Sequence, residues 1–91
     1  MKYKYKATRQ FWEQFRALSK TQQANARAKL RVFKEDPFHP RLRTHKIHHL
    51  SDVYKRTVHA VVIEGDLRAA FFIKDDTVVS VAIGTHDIYK R

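Results

Sequence analysis

Apolar positions change period partway along the chain. From Thr8 to about Lys34 they recur at helical spacing, and from Arg56 to Ile83 they gather in short β-branched and aromatic runs. Before the first helical stretch, residues 2–6 alternate Lys with Tyr3 and Tyr5, a short strand with one aromatic face. Thr8 is placed to cap a helix carrying Phe11, Trp12, Phe15 and Leu18, and Thr21 to cap a second one after the Ser19-Lys20 break. That second helix runs to about Lys34, with Ala24, Ala28 and Val32 on its inner side beside Leu30 and Phe33. The short break predicts an antiparallel helical hairpin, which Asp36-Pro-Phe-His-Pro40 ends.

The remainder reads as sheet. Thr44 to Leu50 is a polar edge strand, and Arg56 to Glu64 turns at Gly65-Asp66 into Leu67–Lys74, which turns at Asp75-Asp76 into Thr77–Ile83. Val61, Val62, Ile63, Phe71 and Phe72 suit central strands buried on both faces. The predicted class is α+β: a small antiparallel sheet with an N-terminal helical hairpin on one face, in the order β-α-α-β-β-β, and residues 1–91 form one domain.

Charge narrows the partners. The chain carries a formal net charge of +10, and residues 1–34 hold ten basic groups against one acid, Glu13. Such a field attracts nucleic acid or an acidic protein, and does not by itself choose between RNA, DNA and an acidic partner. Apolar residues at 43% exclude a disordered chain. No apolar run is long enough to cross a bilayer, and Met1-Lys-Tyr-Lys-Tyr-Lys6 lacks the apolar stretch of a signal peptide, which predicts a cytoplasmic protein without membrane partners. The absence of cysteine excludes disulfides and thiol chemistry.

Two residues carry the candidate chemistry. His86 follows the last strand, and an imidazole holds or releases a proton near neutral pH. RNA cleavage needs a base for the 2′-hydroxyl, an acid for the leaving 5′-oxygen and a cation for the charge that develops on phosphorus. Arg68 enters an apolar strand on the face shared by Ala70 and Phe72, where its guanidinium needs an anion: Asp66 or Asp87 internally, or a phosphate from outside. Tyr89 is a base, a stacking platform or an anchor for the tail. Lys46, His48, His49, Arg56, Lys90 and Arg91 are candidate RNA or phosphate contacts. His45 and His49 share a strand face at metal-ligand spacing, but no cysteine or nearby carboxylate completes a set, so neither metal nor cofactor is expected.

Three segments in succession, Leu42-Arg-Thr-His-Lys-Ile47, Gly65-Asp-Leu-Arg-Ala-Ala-Phe71 and Ile83-Gly-Thr-His-Asp-Ile-Tyr89, resemble landmarks of the RelE/ParE toxin superfamily, and the helical hairpin before them matches as well. The resemblance implies a toxin held silent by a cognate acidic antitoxin. RelE-like members cleave mRNA on the ribosome, whereas ParE-like members poison DNA gyrase. By motif, Arg68 corresponds to the arginine that contacts the scissile phosphate in RelE-like nucleases. His86 resembles the catalytic histidine of the YafQ-like branch, His45 and Asp66 its other acid–base positions, and Tyr89 the tyrosine that acts in RelE proper. Ala60-Val-Val-Ile63 is apolar where RelE proper carries catalytic lysines. The favoured reading is a metal-independent, ribosome-dependent mRNA endoribonuclease; the alternatives are a gyrase inhibitor and a non-catalytic basic RNA-binding module.

Overall fold

The computed structural model describes residues 3–89, apart from the side chains of His86 and Tyr89. The chain runs β1 (Lys4–Ala7), α1 (Arg9–Arg16), α2 (Lys20–Glu35), a 3₁₀ turn (Pro40–Leu42), β2 (His45–Lys46), α3 (His48–Tyr54), β3 (Val58–Glu64), β4 (Leu67–Lys74), β5 (Thr77–Gly84) and a 3₁₀ turn (His86–Tyr89). The strands form one sheet in the order β1-β5-β4-β3-β2.

Strands β2 to β5 pair antiparallel, as expected, but β1 lies parallel to β5 and makes the sheet mixed. No hairpin ties β1 to its neighbour. Strand β1 runs directly into α1 through the cap residue Thr8, whose backbone N–H donates to the Ser80 carbonyl at 2.9 Å. The two tight turns absorb left-handed backbone at Gly65 (φ +47) and Asp75 (φ +58).

Thr8 caps α1 as the sequence predicts. The cap of α2 is Ser19 rather than Thr21, because Ser19 and Gln22 form a reciprocal capping box that satisfies two N–H groups at once. The buried side of α2 is also rotated from the predicted one. Ala24 and Ala28 are exposed and Ala26 is buried instead, while Leu30, Val32 and Phe33 pack against the core, where large side chains remove most apolar area from water. Phe33 meets Phe71 edge to face at 4.9 Å.

This hairpin core joins Phe11, Phe15 and Phe33 to Val61, Ile63, Leu67, Ala69 and Phe71 of the sheet. The opposite face is covered too. Only His45–Lys46 of the expected 44–50 strand is extended, and α3 follows at once. Ile47, Leu50 and Tyr54 recur at helical spacing and pack onto Val58, Ala70, Val81 and Ala82, where they join Ile88. Ser51 fastens this helix to the sheet: its hydroxyl donates to the Ile47 carbonyl at 2.8 Å and accepts from the Val58 N–H at 2.9 Å.

Candidate functional site

Strand alternation sorts the candidates by face. Leu67, Ala69 and Phe71 point toward the helical hairpin, whereas Ala70 and Phe72 belong to the second face, which places Arg68 on that face as expected. In register, Arg68 stands between Val62 of β3 and Gly84 of β5. His86 is two residues beyond Gly84, at the start of the terminal 3₁₀ turn, so the backbone carrying it leaves the sheet beside Arg68. The turn lies close: a Cβ built on Gly84 would come within 2.8 Å of Ile88 Cγ2, so only glycine admits it in this position.

Arg68 is half-buried and donates from Nη1 to the carbonyls of Gly65, at 2.5 Å, and Leu67, at 3.3 Å. Both acceptors are neutral carbonyls, and no ion pair to Arg68 is seen among the described residues. Asp66 lies in the β3–β4 turn, next in the chain to Gly65, whose carbonyl accepts from this guanidinium.

His45 pairs with Ala60, which pairs with Ala70, so it shares the Arg68 face at the sheet edge. Two strand spacings and two residues along the strand separate the backbones of His45 and Arg68 by roughly 12 Å. The His45 Nδ1 lies 2.8 Å from the Arg43 carbonyl. A carbonyl only accepts, so Nδ1 is the donor in this contact.

The other candidates separate. Lys46 pairs with His59 and falls on the hairpin face. His48 and His49 sit exposed in the first turn of α3 rather than on a strand, which removes the strand-face pairing of His45 with His49. Arg56 lies over the Phe72 ring at 4.8 Å. Lys90 and Arg91 lie outside the described residues, as do the side chains of His86 and Tyr89.

His59 was not singled out from sequence. It stacks on Phe71 at 5.5 Å, meets Phe38 edge-on at 5.2 Å, and buries Nδ1 without a hydrogen-bond partner among the described residues. Burial, then the nearby Lys46 and His45, push its pKa below the ordinary 6.5. A histidine at an inward position of an otherwise apolar strand, Val58-His-Ala-Val61, was the available signal.

The chain shares its fold with solved toxins. It superposes on the archaeal RelE–RelB complex from Pyrococcus horikoshii OT3 with a TM-score of 0.70 at 13% identity, covering 93% of this chain and 96% of that one. The E. coli DinJ–YafQ toxin–antitoxin complex gives 0.75 at 9% identity over 100% of both chains. The YoeB dimer from Staphylococcus aureus gives 0.69 at 11% identity, with 94% and 99% covered. No family model matches the sequence, and no curated protein matches it.

Proposed function

We propose that this chain is the toxin of a toxin–antitoxin pair and an endoribonuclease that cuts mRNA on the ribosome. The observation that carries the reading is the register of Arg68 with Gly84, which sets a half-buried cation with neutral partners beside the segment bearing His86. In this reading Arg68 grips the scissile phosphate, and His86 acts as general acid or base. His45, Asp66 and Tyr89 are supporting groups. The 2′-hydroxyl attacks phosphorus, the 5′-oxygen leaves with a proton, and a 2′,3′-cyclic phosphate remains. The step needs no metal.

The partner is an acidic antitoxin. A groove of ≈ 690 Å³ runs between β1 and the helical hairpin, floored by Phe11, Phe15 and Phe33 and edged by Lys6, Arg27 and Arg31. Apolar floor and basic rim suit an acidic amphipathic segment. Two of the similar structures are complexes, with RelB and with DinJ. No helix among the described residues is long and apolar enough to cross a membrane, in keeping with action in the cytoplasm.

Pulse-labelling after induction tests the reading. Amino-acid incorporation should stop while thymidine incorporation continues, and co-expression of the neighbouring acidic reading frame should restore growth. Loss of DNA synthesis with translation intact would replace this reading with gyrase inhibition.

A further inference from the structure

The far end of the Arg68 face carries a second cation in a different setting. Arg56, exposed just before β3, lays its guanidinium over the ring of Phe72 at 4.8 Å, and Tyr54 flanks the same ring at 5.9 Å. Phe72 is half-buried on the strand that holds Arg68, four residues away and on the same face. At about 3.3 Å per residue the two positions are roughly 13 Å apart, a span that a few nucleotides of single strand bridge. A guanidinium over an aromatic ring presents its other side outward, and unpaired bases stack on guanidinium planes.

We propose that Arg56, backed by Phe72, is a stacking platform for an unpaired nucleobase of the strand whose phosphate lies at Arg68. This rests on the RNA reading above and adds to it a subsite that senses a base rather than a phosphate. A lysine at this position keeps the charge and loses the plane.

The test is fluorescence anisotropy with a labelled hexaadenylate and a set of the same oligonucleotides carrying one abasic site each. Arg56→Lys should weaken binding about tenfold, within what one stacked base contributes, with an unchanged salt slope. One abasic position should weaken wild type similarly and add nothing to the Arg56→Lys loss. Equal binding by Arg56→Lys and wild type, or a flat abasic scan, overturns the platform. If Arg68→Ala weakens binding while Arg56→Lys does not, only the platform falls. If wild type binds no oligonucleotide even at low salt, the platform falls, while the ribosome-dependent reading stands or falls by the pulse-labelling above. Position 56 is exposed, and matching thermal melts establish that both proteins are folded.

Discussion

Gly84 and His59 are single positions with opposite consequences, one for the seating of the terminal turn and one for stability. The terminal 3₁₀ turn is seated where any side chain at position 84 would strike Ile88. Gly84→Ala should therefore shift the segment carrying His86, and a displacement of about 1 Å in reacting groups costs on the order of 10²-fold in rate. RNA cleavage should fall by that order while the fold is retained by circular dichroism; unchanged cleavage would show that the seating of the turn does not matter. His59 makes a different prediction. Its folded pKa lies below its unfolded value of 6.5, so above 6.5 it is neutral in both states and its site is undisturbed. As pH falls from 6.5 through the folded pKa, the unfolded chain binds the proton first and stability is lost. The melting temperature should drop across that window, and His59→Phe should flatten the drop. Equal slopes for the two proteins would contradict this.

At the scale of elements, the helical hairpin and the β3-β4-β5 meander were legible because each repeats one period long enough to read, with its turns marked by Gly65-Asp66 and Asp75-Asp76. Helix α3 was not. Its seven residues, His48–Tyr54, are too few for a periodic signal, and the paired histidines read as a polar strand. Its spacing becomes visible only once Ile47, Leu50 and Tyr54 are seen against the sheet. The direction of β1 was hidden for a related reason, since pairing with β5 joins residues about 70 positions apart and leaves no local mark. Leu50, 2% exposed, anchors α3 over Val58 and Ala70. Leu50→Ala should cost roughly 2–5 kcal/mol, read as a fall in the denaturant midpoint; a loss well under 1 kcal/mol would mean that α3 contributes little to the second core.

Across the whole molecule, the two faces of the sheet divide the work. The hairpin face builds the larger core and, at its rim, the basic groove. The second face, closed in its middle by Leu50 and Ile88, carries Arg68 at one end and Arg56 on Phe72 at the other. Sequence put Arg68 one residue into its strand and His86 just past the last one, and the register of Arg68 with Gly84 brings the two segments to one end of the sheet. Sequence did not show which of Lys46 and His45 shares the Arg68 face, because alternation puts them on opposite faces but only the register with His59 and Ala60 says which is which. The central claim is chemical: Arg68 and the His86 segment together cleave RNA. Its most direct measurement follows the ends of mRNA after single-turnover reaction on programmed ribosomes with wild type, Arg68→Ala and His86→Ala, each with a matched thermal melt. Wild type should leave 2′,3′-cyclic phosphate and 5′-hydroxyl ends, with cleavage reduced 10²–10⁴-fold in folded His86→Ala and at least as strongly in folded Arg68→Ala. Cleavage by both folded variants at the wild-type rate would contradict the account.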